Sequence, residues 1–255
     1  MEENRRPIAV FDSGVGGISV LRALVKLMPN ENYIYFGDSA HAPYGSKTLE
    51  EVRALTEMNV LHLLEAGAKA VVVACNTATS ADISILRERY PHIPMIGIEP
   101  AVKPAAESGE HPRVLVMATP MTLEQEKFRI LLHRYEEQAE IYPLPCPGLV
   151  EFVERGELTG AAVEARLREC LADCPTPDAV VLGCTHYPFL RPLIRQVLGR
   201  ETELLDGAEG TARETKRRLA EAGLLRETQP GSVKMENSLG TAEILERSLY
   251  LLRAE

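Results

Sequence analysis

The sequence has no tryptophan, few other aromatic residues and no long apolar run. Only 5% of its 255 residues are aromatic. No stretch approaches the roughly 18 apolar residues of a membrane-spanning helix, and no apolar signal core follows residues 1–6. We therefore expect a chain that does not contact membranes and stays in the cytoplasm.

Positive charge is also scarce, because 28 lysines and arginines stand against 37 acidic residues and leave a formal net charge of −9. Binding to nucleic acid needs clustered cations that neutralise phosphates. The one basic cluster, Lys216–Arg218, has Glu214 and Glu221 nearby, which is typical of a solvated helix face. We expect no nucleic-acid partner.

Several motifs of metal and cofactor chemistry are missing. The five cysteines include no Cys-x-x-Cys pair, and an odd count in a cytoplasmic chain predicts no disulfide framework. Cys170 and Cys174 lack a matching Cys/His pair for a metal and are predicted to be packing residues, and Cys146 a loop thiol without a role. The glycine-rich stretch Asp12–Gly17 has neither the G-x-G-x-x-G nor the G-K-[ST] pattern. We expect no metal site and no cofactor.

Apolar strand-like runs alternate with helical patterns along the whole chain, which predicts an α/β fold with mainly parallel sheets. The order strand-turn-helix, strand-loop, long helix, cysteine strand occurs twice, from Asp12 to Cys75 and from Ala118 to Cys184. We interpret the repeat as two similar α/β domains related by a pseudo-two-fold, with an active site in the cleft between them. The predicted first domain is 1–98 plus 208–255, and the second is 99–207.

Two β-branched runs, 70–74 and 179–183, each end at a thiol, Cys75 and Cys184. They predict buried strands, each followed by the N-terminus of a helix. Ligands of open α/β sheets bind at this end of the strands, and a helix N-terminus favours the thiolate form of a cysteine. A lone cysteine is more often a small buried hydrophobe. Two thiols at equivalent positions, each followed by a threonine, instead indicate a facing acid/base pair.

Four further patterns give weaker predictions. Asp12 ends a strand before glycines that would let backbone N–H groups approach a ligand, although a plain turn residue is the alternative. His186 lies close enough to Cys184 to polarise it or to bind a substrate carboxylate, although a lone histidine is more often structural. The residues 123–135 predict one helix, and Pro143 predicts a strand at a sheet edge.

Four motifs occur together in one order and spacing. They are Asp12–Gly17, Pro43–Gly45, Cys75–Thr77 and Gly183–Pro188. Together they resemble the glutamate racemase family, a branch of the cofactor-independent aspartate/glutamate racemases. The resemblance covers about residues 7 to 190, and the C-terminal third carries no comparable signature.

The resemblance implies that Cys75 and Cys184 are the catalytic bases, Cys75 on the D side and Cys184 on the L side of the substrate α-carbon. It implies that Asp12 assists Cys75 and that His186 assists Cys184. The residues implied to hold glutamate are Asp12, Ser13, Tyr44, Gly45, Asn76, Thr77, Thr185 and His186. Weaker implications are Thr119 as a carboxylate-binding hydroxyl and Glu151 as a supporting carboxylate.

The function we expect is two-base interconversion of L- and D-glutamate, which supplies D-glutamate for peptidoglycan. The alternatives are a racemase of aspartate or another acidic amino acid, a non-catalytic amino-acid sensor and a zinc-binding protein. The expected partner is the small-molecule substrate. The amphipathic segment 241–252 either packs on its own domain or forms a homodimer contact.

Overall fold

A computed structural model describes residues 3–199 and 201–253. The strands are β1 (Ile8–Asp12), β2 (Tyr33–Gly37), β3 (Ala70–Val73), β4 (Met95–Gly97), β5 (Arg113–Ala118), β6 (Glu140–Pro145), β7 (Ala179–Leu182), β8 (Glu203–Asp206) and β9 (Val233–Asn237). The α-helices are α1 (Ile18–Leu27), α2 (Leu49–Glu65), α3 (Asn76–Arg89), α4 (Val102–Ala106), α5 (Pro120–Glu124), α6 (Glu126–His133), α7 (Leu149–Glu154), α8 (Ala161–Leu171), α9 (Arg191–Leu198), α10 (Ala208–Glu221) and α11 (Ala242–Arg253).

The strands form two parallel sheets. The first has the order β4-β3-β1-β2-β9 and the second the order β6-β5-β7-β8. In both, the strand that opens the repeat is central and the cysteine strand, β3 or β7, pairs on one side of it. The core of each sheet therefore has the same strand order, and the predicted α/β class with parallel sheets is confirmed.

The cysteine strands are buried along their whole length, as are β1 and β2. Strands covered by helices on both faces have continuous apolar runs rather than alternating patterns, which explains the β-branched composition of β3 and β7. The edge strands β6, β8 and β9 are less buried, and β6, at the edge of the second sheet, is mostly exposed. Proline at 143 removes a ladder donor, and the edge position predicted for it is confirmed.

The last part of the chain returns to the first sheet. Strand β9 pairs with β2, while α10 packs on α1 and α11 packs on α1 and β9. Helix α11 buries Ile244, Ser248 and Leu251 there, so in this structure it covers the first sheet's own helix layer. The domain limits at 98/99 and 207/208 stay a prediction.

Two predicted helices differ from the structure. The predicted helix 123–135 is two helices, α5 and α6, because Gln125 has an extended backbone, with φ −70° and ψ 133°. No α-helix begins directly after Cys184. A turn there leads into a 3₁₀ helix, Tyr187–Leu190, which contains a proline without an N–H, and α9 starts at Arg191.

Among the described residues, no helix is long and apolar enough to cross a membrane.

Candidate active site

The carboxyl ends of the two sheets face each other around a small enclosed cavity. Its volume is about 10 Å³, roughly what one water molecule needs. The lining residues are Ser13, Pro43, Tyr44, Gly45, Cys75, Asn76, Thr77, Thr119, Val150, Cys184, Thr185 and His186. The structure thus brings both thiols and most of the predicted substrate residues to one place. Asp12 does not line the cavity, and Glu151 borders a neighbouring hollow.

Cys75 is the N-cap of α3, as the strand-to-helix pattern predicted. Its Sγ accepts from the backbone N–H of Ala78 at 3.5 Å and lies 3.5 Å from the Ser13 hydroxyl. Burial, and secondly the charge of Asp12, raise the pKa of the Cys75 thiol to about 12. In the closed site this thiol is therefore neutral at physiological pH.

The surroundings of Cys184 differ from those of Cys75. Its Sγ lies 3.7 Å from Nδ1 of His186, whose Nε2 lies 2.6 Å from Oε1 of Glu154. Burial by itself lowers the pKa of His186, but its hydrogen bonds to Cys184 and Glu154 raise it well above the usual range. The imidazole is therefore a cation, and it lies directly beside the Cys184 sulfur.

Glu154 holds that histidine from the last turn of α7. Its Oε1 also accepts from the backbone N–H of Val15 at 2.7 Å, and its Oε2 accepts from Ser39 at 2.9 Å. Burial tends to raise the pKa of Glu154, but the hydrogen bond and the charge of His186 lower it below its usual range. The carboxylate thus stays ionised and ties the second sheet to two loops of the first.

The glycine turn after β1 makes this contact possible. A Cβ on Gly14 would overlap the Glu154 carboxylate, and one on Gly16 would overlap the side chains of Thr185 and His186. The sequence predicted that these glycines open backbone N–H groups to a ligand. The structure instead shows them leaving room for side chains of the opposite sheet.

Asp12 is fully buried and bonds across the cleft. Its Oδ1 accepts from the Gly14 N–H at 2.9 Å, and its Oδ2 accepts from the Thr185 hydroxyl at 3.0 Å. Burial raises the pKa of Asp12 above the usual carboxyl value, in spite of the positive charge on His186. These two hydrogen bonds go to groups other than Cys75, and the influence of Asp12 on that thiol is electrostatic.

Tyr44 is fixed by a buried polar cluster. Its hydroxyl donates to Oδ2 of Asp38 at 2.6 Å, and Asn59 donates to the same oxygen at 3.1 Å. Burial raises the pKa of Tyr44 far above normal, as does the bond to Asp38. The phenol is therefore a neutral group held in a fixed position, and Asp38 and Asn59 support the site although the sequence had not indicated them.

Hydroxyls and one amide make up the remaining polar wall. Thr77, Thr119 and Thr122 form a triangle with Oγ1–Oγ1 distances of 2.8–3.1 Å. Both polar atoms of the buried Asn76 amide lack a hydrogen-bond partner within the described part of the chain. A buried amide without partners is costly unless a ligand satisfies it. The Asn76 amide, which borders the cavity, therefore has unused hydrogen-bonding capacity.

Two glutamates of α7 have different surroundings. Glu151, the predicted supporting carboxylate, has a buried Oε2 without a hydrogen-bond partner among residues 3–199 and 201–253, and its role stays a prediction. Glu154, which the sequence had not indicated, contacts His186. The two glutamates are three residues apart on one short helix, so spacing alone did not separate them.

Gly45 lies directly against Thr119. A Cβ on Gly45 would come within 2.7 Å of Cβ of Thr119, so only glycine lets the Pro43–Gly45 segment pack against the second sheet's turn.

No group of three or more His, Cys, Asp or Glu side chains among the described residues is arranged to hold a metal ion.

The arrangement defines a class of protein before any relative is considered. Two similar parallel sheets face each other with one thiol from each and neutral donors between them, as expected of an enzyme that works on both faces of a carbon atom. The model of the Asp/Glu/hydantoin racemase family matches residues 8–215. The chain therefore belongs to the Asp/Glu/hydantoin racemase family, and its activity is that of an amino-acid racemase, an isomerase.

Individual relatives indicate which members of this family the chain is similar to. A glutamate racemase of Clostridium perfringens is 52% identical, with 96% of each chain covered. The structure of glutamate racemase from Francisella tularensis in complex with D-glutamate superposes with a TM-score of 0.84 at 29% identity, covering 99% of this chain and 95% of that one. A glutamate racemase from Thermus thermophilus, in complex with β-chloro-D-alanine, gives 0.80 at 39% identity, covering 96% and 93%. The resemblance to glutamate racemases predicted from the motifs is confirmed.

Proposed function

We propose that this racemase interconverts L- and D-glutamate with Cys75 and Cys184 as the two bases. The observation that carries the proposal is the pair of thiols on opposite walls of one closed cavity, in different protonation environments. The identity of about half the residues with glutamate racemases over nearly the full chain supports glutamate as the substrate.

The resting charges suit the start of the reaction. Inversion needs one base ionised and the opposite one protonated. The raised pKa keeps Cys75 a neutral thiol, and the Sγ of Cys184 lies 3.7 Å from the His186 imidazolium. With L-glutamate bound, Cys184 removes the α-proton and Cys75 delivers its own proton to the other face. The reverse direction begins with the roles exchanged.

Negative charge that develops on the substrate meets mostly neutral donors. Among the described residues that line the cavity, His186 is the one cation and there is no lysine or arginine, so hydrogen bonds carry most of the stabilisation. We expect the Asn76 amide and the hydroxyls of Thr77, Thr119 and Thr185, which line the cavity, to bind the substrate carboxylates. Removing one donor of this kind costs a factor of about 10²–10³ in rate in other enzymes.

The closed cavity also determines how substrate enters. A volume of about 10 Å³ is much too small for glutamate, so the two sheets or the Pro43–Gly45 segment must move apart on binding. Closure around the substrate then excludes water, which strengthens every hydrogen bond to the developing charge.

We also propose that the reaction takes place in the cytoplasm and supplies D-glutamate for peptidoglycan. The test is deletion of the gene in its host. The deletion strain should stop growing and should recover on external D-glutamate. Recovery on D-aspartate alone would place the chain among racemases of other acidic amino acids.

The two-base proposal is tested with Cys75→Ser and Cys184→Ser, and Cys174→Ser is the matched control outside the cavity. Circular dichroism should show racemisation reduced at least ~10³-fold in each site variant and unchanged in the control. In deuterated water each site variant should still exchange the α-proton of one enantiomer, Cys75→Ser that of L-glutamate and Cys184→Ser that of D-glutamate. Full racemisation by either site variant would refute the two-base mechanism.

A panel of amino acids separates the substrate alternatives. Glutamate should be racemised and aspartate should not. An amino-acid sensor would bind glutamate without changing its optical activity, and its binding would survive replacement of both thiols.

A further inference from the structure

Three cysteines remain outside the proposed reaction, and they cluster on the side of the second sheet. Cys146 follows the edge strand β6 and is fully buried. Cys170 in α8 packs against the apolar cluster that contains Cys146, and the residues that flank Cys146, Pro145 and Pro147, line the same surface hollow as Cys170. The Cys146 thiol donates to the Leu144 carbonyl oxygen at 3.5 Å. Cys174 lies one turn further, with its Sγ 3.8 Å from the Cys170 carbonyl oxygen. All three are free thiols.

The cluster opens to a surface hollow of about 470 Å³. Cys170 and Cys174 line this hollow together with Arg166, whereas Cys146 does not. A small molecule in the hollow can therefore reach Cys170, and Cys146 lies directly behind it. This is the arrangement of an accessible thiol backed by a resolving thiol.

Charges around Cys170 favour its ionised form. The hydrogen bond from Cys146, together with the charge of Arg166, lowers the pKa of the Cys170 thiol in spite of partial burial. The same contact, and then burial, raise the pKa of Cys146. The pair thus combines a partly buried thiol that ionises readily, Cys170, with a buried thiol that stays neutral, Cys146.

Arg166 is itself held in place. Its Nε donates to the carbonyl oxygen of Pro147 at 2.7 Å, and its Nη1 donates to Glu169 at 2.8 Å. The guanidinium therefore links α8 to the loop that begins at Cys146, and it fixes the distance between the two thiol-bearing segments.

We propose that Cys170 and Cys146 form a peroxide-reactive site, in which a hydroperoxide oxidises Cys170 and Cys146 resolves the product as a disulfide. The Cys170 thiolate attacks the terminal peroxide oxygen, the O–O bond breaks, and hydroxide (or an alkoxide) leaves. The sulfur of Cys146 then attacks the resulting sulfenic sulfur, the S–O bond breaks, and the oxygen leaves as water with the thiol proton. One peroxide is reduced and two thiols are oxidised.

The test treats the reduced full-length protein with hydrogen peroxide and maps the products by peptide mass spectrometry, with and without a sulfenic-acid trap. In the unmodified chain we expect a linked Cys146–Cys170 peptide that dithiothreitol reverses, with a mass loss of two hydrogens. Cys146→Ser should instead accumulate trapped sulfenic acid on Cys170. Cys174→Ser, the matched control in the same hollow, should form the Cys146–Cys170 link as before.

Three results would overturn the proposal. They are a link that contains Cys174 in place of Cys146, no trapped sulfenic acid on Cys170 in Cys146→Ser, and no reaction at Cys170 at peroxide levels that oxidise Cys75 or Cys184. The link itself is mapped in the unmodified chain, so that part of the test does not depend on the folding of a variant; the far-ultraviolet circular dichroism spectrum of Cys146→Ser shows whether that variant is folded. It is also independent of the racemase reaction.

Discussion

Replacing Glu154 by glutamine removes one negative charge and keeps the size and a hydrogen-bonding group. In the structure Glu154 lies 2.6 Å from Nε2 of His186, and its side chain is only 15% exposed. The charge centres of such a pair are about 4 Å apart, which at an effective dielectric constant of about 20 corresponds to ~4 kcal/mol. The amide keeps a hydrogen bond worth about 1 kcal/mol, so the imidazolium loses ~3 kcal/mol of stabilisation.

This loss makes protonated His186 less stable relative to the neutral imidazole. A change of ~3 kcal/mol corresponds to about 10²-fold in that protonation equilibrium, and kcat/KM should fall by up to the same factor, because the cation beside Cys184 is part of the proposed site. The sign of the pH dependence follows from His186, whose raised pKa falls in the variant. Its proton is then lost at lower pH, so the deficit grows as the pH rises and the descending limb of the profile moves to lower pH.

The assay is circular dichroism with L- and with D-glutamate over a pH series. The two enantiomers have equal free energy, so kcat/KM must fall by the same factor in both directions, which checks the data internally. Glu157→Gln is the matched control, because this exposed glutamate pairs with Arg155. Wild-type kcat/KM and an unshifted pH profile in Glu154→Gln would refute the reasoning. An equal loss in the control would assign the effect to net charge.

Three further predictions concern packing and buried charge. Gly16→Ala should lower kcat/KM by at least ~10²-fold, because the new methyl group prevents closure against the opposite sheet. The control Gly210→Ala should leave the rate unchanged and stabilise α10 by about 0.5–1 kcal/mol, since no atom lies near its Cβ position. Equal rates in the two variants would contradict this prediction. Asp82→Asn should raise the free energy of unfolding by about 2 kcal/mol at pH 8, because burial raises the pKa of Asp82 to about 6. The gain should shrink as the pH falls through that value. Urea unfolding that shows the same gain at pH 8 and at low pH would count against this prediction. Lys69→Met should lower the free energy of unfolding by about 3–5 kcal/mol, because it leaves the charge of Glu31 buried without its partner. Replacing both residues by apolar ones should recover most of this loss in the same urea assay.

Much of the fold could be predicted from local patterns. The β-branched runs before Cys75 and Cys184 are long enough for buried strands, and each thiol follows its strand directly. Where local rules failed, the reason was also local. Gln125 interrupts a helix-like pattern, and the residues after Cys184 turn into a 3₁₀ helix because a proline stands among them.

The site was predictable only in part. Hydrogen bonding and helix periodicity act within a few residues, and they placed the Cys75 N-cap correctly. They carry no information on which of Glu151 and Glu154 turns toward His186, since both lie on the same helix. They also did not reveal Asp38 and Asn59, which stand 21 residues apart and meet only through packing.

The sequence by itself determined the elements, their parallel order and the two thiols at strand ends, because these follow from apolar runs and from residues adjacent along the chain. The tertiary structure alone decided the contacts across the cleft. The bond from Thr185 to Asp12 spans 173 residues, and the Val15–Glu154 bond spans 139. Such contacts depend on how two independently formed sheets pack against each other. The glycines of the first turn therefore acquired their meaning, as room for His186 and Glu154, only in the folded molecule.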